Sequence, residues 1–341
     1  MKIKNLTKHS ETYIFLAIIV ITLIIQWRSG AFYTPNNFVR LASALIVPGL
    51  MAIGAFSVII SGGIDVSFPA LASLSIYIVT IVLLEAGYTG GIWLPILMAC
   101  VIGAFLGSIN GMLIALFRLP PLIVTLGTAS IFRGFMQGAL NSRQLATIPE
   151  GMSSFGNSIL FYVRDYATGQ TARMPVTFIV LVVVLVVVFL ILRFTMFGRG
   201  LYAIGGNELS ARRAGFNVGL IKFFLYVGVG VTASLAGLMR VSMMTQMHPT
   251  NMLGMEMMVI AGVVLGGTAI TGGRGSLTGC MLGTFLIVMV QNSLIIMGIP
   301  TFWQGAALGV LILVGTGVSA FQVTRSNDPA RIKQGGKDKA L

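Results

Sequence analysis

The feature that most restricts what this chain can fold into is a succession of apolar runs, each close to the span of a lipid bilayer. They fall at 13–27, 39–60, 68–86, 92–117, 122–140, 174–192, 221–245, 255–272, 276–297 and 301–322. A hydrocarbon core about 30 Å thick takes roughly 20 residues of α-helix. Within lipid every backbone N–H and C=O must find its partner inside the protein, which for runs of this length means helices. The pattern predicts an all-α integral membrane protein of about ten transmembrane helices, with some of them short or broken. Only 9% of the residues are charged, against about a quarter in a soluble protein.

Charge placement then sets topology. A net charge of +13 would suggest nucleic acid as the partner of a soluble domain, but here most of the 22 lysines and arginines lie between the apolar runs, so no nucleic acid is expected. With the first end inside, alternation puts the N-terminus (Lys2, Lys4, Lys8), the loop at Arg118, the loop 193–222, the turn at Arg274 and the tail on one side, and these hold most of the positive charge. The other side receives Arg28, Arg40, Arg143, Arg164 and Arg173. The bias predicts that both termini are cytoplasmic. The run from Tyr13 to Trp27 has the outline of a secretory signal and is read as an uncleaved first helix. Residues 1–322 form a single transmembrane unit in this reading, with 141–173 as a long outer loop that covers an opening or touches a partner. The tail 323–341 is polar and basic, expected to be disordered beside anionic lipid headgroups.

The stretch Phe197 to Phe216 is the longest polar interval between two strongly apolar runs. From Asn207 the order Asn-Glu-Leu-Ser-Ala-Arg-Arg-Ala reads as a short capped helix. Asn207 accepts from an exposed N–H, Glu208 favours the positive end, and Arg212 and Arg213 favour the negative end. Gly215 fits the stop position. A short helix held at a membrane surface is a handle for a soluble partner.

Within the apolar runs, Gly103, Gly107 and Gly111 are spaced by four, as are Gly275, Gly279 and Gly283, and Gly262 with Gly266. Smooth glycine faces let helices approach closely where no hydrophobic force drives them together. Asp65 lies in Ser-Gly-Gly-Ile-Asp-Val-Ser-Phe-Pro (61–69), whose glycines and proline suggest a break between two helices. It is read either as a cap on the next helix or as a contact for a solute. Arg133, Arg240 and Glu256 are placed near the interfaces, where long side chains snorkel. No row of buried acids of the kind that carries protons or sodium is present. Cys100 and Cys280 lie far apart inside apolar runs, and His9 and His248 are isolated, so no metal site and no catalytic residue is expected. The only glycine pair before a lysine, at 335–337, lacks the rest of a phosphate-binding loop. If the chain pumps, its energy comes from a partner.

These residues together resemble the permease family of bacterial sugar ABC importers, the ribose type. The likeness runs from Leu41 to Val318 and is carried by Ser61 to Ser67, Asn110-Gly111, the run Leu119 to Thr128 with Arg133-Gly134, the loop Phe197 to Gly215, and Leu265 to Gly283. The resemblance implies a multi-pass protein of the bacterial inner membrane that pairs with a second permease copy or a paralogue. It implies a sugar-binding protein outside, periplasmic or lipid-anchored, and a nucleotide-binding ATPase inside. ATP and magnesium would be held by that ATPase, with no cofactor on this chain. Coupling to the ATPase falls on Gly198, Arg199, Gly205, Gly206, Asn207, Ala211 and Gly215, with Glu208 and Arg212 in the same helix. The candidate translocation path comprises Asp65, Ser67, Phe68, Asn110, Thr125 and Asn292. Family members mostly continue the aspartate motif as Asp-Leu-Ser-Val-Gly, whereas Val66-Ser67-Phe68-Pro69 stand here; if the break faces the path, Phe68 narrows it or alters selectivity. The competing reading is a stand-alone secondary transporter or facilitator for a small polar solute.

Overall fold

A computed structural model describes residues 10–164, 171–300, 302–310, 313 and 317. The tail 323–341 and the basic start at Lys2, Lys4 and Lys8 lie outside the described residues. In chain order the elements are α1 (Ser10–Ser29), α2 (Pro35–Ile60), α3 (Phe68–Glu85), α4 (Trp93–Ala115), α5 (Pro121–Gly138) and α6 (Glu150–Asn157). Next come a hairpin of β1 (Ile159–Arg164) and β2 (Thr171–Pro175), then α7 (Thr177–Phe194), α8 (Met196–Gly206), α9 (Glu208–Arg213), α10 (Val218–Met244), α11 (Met255–Leu265) and α12 (Leu277–Ile296). Residues 303–310 are also helical.

The all-α membrane class holds. Among the described residues 7 helices are long and apolar enough to cross a bilayer: α1, α2, α3, α4, α7, α10 and α12. Helix α5 has 18 residues but carries Thr125, Thr128, Arg133 and Gln137, which dilute its apolar character. The run 255–272 behaves differently from a full span. Helix α11 stops at Leu265 after 11 residues, about 16 Å of rise, because Gly266 caps it and Gly267 turns away at φ 83°.

Helix α2 is the centre of the bundle. Its most apolar window is 83% buried, against 17% for α1 and α7, so α2 is walled by protein while α1 and α7 present their flanks outward. Thr34 starts α2 by accepting from the N–H of Asn37, with Pro35 in the first turn, where its missing donor costs nothing. Around α2 the glycine faces do what close packing in lipid requires. On α4, Cβ atoms added at Gly103, Gly107 and Gly111 would overlap atoms of α10 around Gly230, Tyr226 and Phe223. A Cβ at Gly262 would lie 3.0 Å from Thr284, and Gly266 meets Gly279 backbone to backbone, which seats α11 on α12.

The connections gather at two ends. At one, the 61–67 segment, α8, α9 and the 266–276 loop meet, and Glu11 at the start of α1 accepts from the hydroxyls of Ser276 and Thr278 on the same side. At the other, Leu145 and Met247 exchange backbone hydrogen bonds, Gly151 abuts the carbonyl of Gly90, and Gly156 abuts that of Ser242. Among its described residues the interval read as a long outer loop, 141–173, contains α6 and β1, and β2 buries Ala172 and Met174 against Val39 of α2. Arg133 and Glu256, placed near the interfaces by sequence, approach to 3.6 Å, and Arg240 donates to Asn251 at 2.9 Å.

Candidate functional site

The polar interval folds as two short helices, α8 and α9. Thr195 caps α8 by accepting from the N–H of Gly198 at 3.2 Å, and a side chain on Gly198 would overlap the backbone of Leu192 at the α7–α8 bend. Asn207 caps α9 as expected, its Oδ1 accepting from the N–H of Ser210 at 2.8 Å. The stop is a Schellman turn: the N–H of Phe216 bonds to the carbonyl of Ala211, that of Gly215 to Arg212, and Gly215 has φ 88°. Ala211 is buried against Ile204 and Val218, while Leu209, Ser210, Arg212 and Arg213 are exposed, as is Arg199 on α8. A six-residue helix is too short to hold itself; packing and caps hold it, and its outer face is free for a partner.

Two links tie α9 and α8 to the rest of the bundle. One is ionic: Glu208 Oε2 lies 2.7 Å from Lys222 Nζ on α10, and Oε1 lies 2.7 Å from Arg212. The hydrogen bond from Lys222, helped by Arg212, holds the Glu208 carboxyl below its ordinary value despite partial burial, which acts the other way. The other link is a junction of glycines. A side chain on Gly205 would overlap the carbonyl of Ile60 at the end of α2. One on Gly272 would come within 2.7 Å of Gly62, and one on Gly273 within 2.7 Å of Gly206. The N–H of Gly273 donates to the carbonyl of Ile60 at 2.8 Å. Three segments far apart in sequence thus meet with nothing but backbone between them.

Past this junction is the break between α2 and α3, where four of the six candidate path residues come together. Asp65 Oδ1 accepts from both the N–H and the hydroxyl of Ser67 at 2.7 Å. Asn110 Nδ2 on α4 donates to the same hydroxyl at 2.8 Å. Thr125 on α5 accepts from the N–H of Val66 at 3.3 Å and points its own proton toward the carbonyls of Leu122 and Ile64. All four side chains are buried. Their bonds fit the cap reading of Asp65: they hold the irregular backbone against α4 and α5. Phe68 is 1% exposed and packed in the main core of the chain. Asn292 stands apart, donating to the carbonyl of Val288 in its own α12 at 2.8 Å, a helix that packs chiefly on α11, α2 and α1.

Between the break and α9 lies a cavity of about 320 Å³, walled by Ser61 to Gly63, the α8–α9 joint, Lys222, Tyr226 and Thr271. Sequence reading missed Tyr226, which looks like the interior of an apolar run. It counted Lys222 with the loop 193–222 and placed Gly62 in the break and Gly272 and Gly273 in the 265–283 motif, but did not show that these segments meet, because the glycines carry no sign of what they touch.

The fold and this region define a multi-pass membrane protein with a short exposed helix joined to a break in the bundle. A family model described as branched-chain amino acid transport system, permease component, matches residues 37–315, and the chain belongs to that family of import permeases. It is 34% identical over 300 residues to the ribose import permease protein of Bacillus subtilis, across 88% of this chain and 89% of that one. The ribose import permease protein of Escherichia coli is 30% identical over 300 residues, across 88% and 90%. The autoinducer 2 import system permease protein of Yersinia pseudotuberculosis is 29% identical over 311 residues, across 91% and 85%. No solved structure matches the chain. The resemblance read from the motifs is thereby confirmed, and the protein is a multi-pass protein of the bacterial inner membrane.

Proposed function

We propose that this chain is the translocation subunit of an ATP-driven, binding-protein-dependent importer of a monosaccharide or sugar-like small molecule. The observation that carries the mechanism is the direct backbone contact of Gly205 and Gly273 with Ile60, which joins the docking helices to the break. The exposed face of α9 receives a separate ATPase, which holds the ATP and magnesium. Its movement reaches the bundle through Lys222 and the glycine junction, and opens a path formed with a second permease copy or a paralogue. A sugar-binding protein, periplasmic or lipid-anchored, delivers the solute on the far face. The segment 193–222 and both termini are then cytoplasmic, with α5, the run at 301–322 and the short, broken pass that contains α11 bringing the total to about ten in one transmembrane unit, 1–322. The placement of Glu11 beside Ser276 and Thr278, on the side of the docking helices, supports this topology. Membrane lipid contacts the outward flanks of α1 and α7.

Reconstitution tests the reading. Vesicles holding this chain with its ATPase and binding protein should concentrate a sugar only with ATP supplied on the α9 side. Uptake by the chain alone would establish the stand-alone transporter instead.

A further inference from the structure

The β-hairpin stands where it has to meet lipid. Strand β2 ends at Pro175, two residues before α7 begins, and α7 leads from there to α8 at the other end of the bundle. Helix α7 has 18 residues with no charge before Arg193, a rise of about 27 Å against a hydrocarbon core about 30 Å thick. All of α7 is needed to cross, so the hairpin lies at the edge of the core, at the end opposite α9. It cannot sink deeper. The strands pair only with one another, and the open outer edge of each would find no hydrogen-bond partner in hydrocarbon.

The two faces of the hairpin differ. Val163, Ala172 and Met174 pack with Val39 and Ala42 of α2 and Phe178 of α7. The register sets Tyr162 opposite Arg173 and Arg164 opposite Thr171, so these four side chains share the other face, and all are exposed. Leu160 and Phe161, at the bulge of β1, are 41% and 50% exposed beside them. Neither arginine has an ion pair among the described residues. Surfaces of the same kind lie at this end of the bundle. The outward flank of α7 opens with Ile179, Val182 and Val183, and Trp27, Tyr33 and Phe38 are exposed where α1 passes into α2. Apolar groups, a ring ending in a hydroxyl and long cations are what the headgroup boundary takes.

We infer that the exposed face of the hairpin is a binding surface for phospholipid headgroups. Tyr162 and the bulge residues rest at the acyl boundary, and Arg164 and Arg173 reach lipid phosphates.

The test uses the purified full chain in lipid nanodiscs. Tyr162→Cys is labelled with an environment-sensitive fluorophore, and the signal of the identically treated parent, which has Cys100 and Cys280, is subtracted. Phosphatidylcholine with a nitroxide on its headgroup should quench the label strongly, and phosphatidylcholine with the nitroxide midway along an acyl chain only weakly. Stronger quenching from mid-chain, or none from either lipid, would overturn the proposal. For the arginines, phosphatidylglycerol and phosphatidylcholine are compared, each with a nitroxide just below the headgroup. The anionic lipid should reach the same quenching at a lower mole fraction, by about 5-fold per arginine. Arg164→Gln with Arg173→Gln should erase that difference. Equal potency of the two lipids before those substitutions would remove the arginines from the surface. No quenching by lipid, with shielding of the label once a solute-binding protein is added, would give the face to that protein instead.

Discussion

The carboxylate of Glu208, the first residue of α9, sits 2.7 Å from the ammonium of Lys222, fourteen positions away on α10. A helix of 6 residues is thereby fastened to one of 27 that runs through the bundle. The pair is two-fifths exposed on the Glu208 side, so its worth is no more than about 1 kcal/mol. Its pH dependence has a definite sign. Lys222 and Arg212 lower the carboxyl's value in the folded chain, so the attachment is complete above the ordinary carboxylate range and is lost as pH falls through the lowered value. The protection of residues 207–215 against hydrogen exchange, taken relative to the intrinsic rate at each pH, should therefore fall in acid, and Glu208→Gln should remove that acid step. An acid step that persists in the variant would assign it to another group.

Asn207→Ala takes away the acceptor for Ser210 N–H. Such caps are worth about 1 kcal/mol, roughly a fivefold shift in the fraction of α9 that is formed. Solute carried per ATP hydrolysed should fall while hydrolysis continues, measured in vesicles holding the complete importer. Uptake and hydrolysis falling in parallel would show that the cap serves assembly rather than coupling.

Gly205 and Gly206 make a matched pair. A methyl group on Gly205 would overlap the Ile60 carbonyl, whereas one on Gly206 meets nothing within 4 Å. Gly205→Ala should separate α8 from α2 and lower the melting temperature of the purified chain; overpacking of this kind typically costs about 1–3 kcal/mol. Gly206→Ala, at the last position of α8, should leave that temperature close to the parent value. Equal effects of the two substitutions would refute the junction as described.

Ser67→Ala leaves Asp65 without its hydroxyl donor and Asn110 without its acceptor, all three groups being buried. Unpaired buried groups cost about 1–3 kcal/mol each, so the chain should unfold at a lower temperature in detergent. Asn292→Ala removes only a bond to the carbonyl of Val288 in the same helix, which keeps its backbone partner, and should be nearly neutral. A Ser67→Ala chain as stable as its parent would mean that the clasp does not hold the break.

Local chemistry was the legible part of this chain. The cap at Asn207, the charges along α9 and the stop at Gly215 were readable because each acts within a few residues of itself. The break at Asp65 was readable because glycines and a proline leave few other choices. What joins these two regions was hidden: Gly62, Gly205 and Gly272 reveal close approach only when their partners are known, and those partners come from three different segments. Lys222 was counted with the loop 193–222, which does not say that Glu208 pairs with it, and Tyr226 was absorbed into the apolar run 221–245. Asn292 was listed with the candidate path, and its side chain bonds within its own helix. Helix α11 was read too long because Gly266, read as a packing glycine, is also the helix end. The hairpin escaped because Ile159 to Val163 is continuously apolar inside a polar interval, with no alternation to mark a strand.

The central claim is that ATP-driven movement of α9 reaches the break through Lys222 and the glycine junction. The most direct measurement is the amount of sugar accumulated per ATP hydrolysed by vesicles holding the complete importer, for the parent and for Lys222→Met, each complex first shown to be assembled. The account predicts that hydrolysis persists in the variant while accumulation per ATP drops. Accumulation per ATP equal to that of the parent would contradict it.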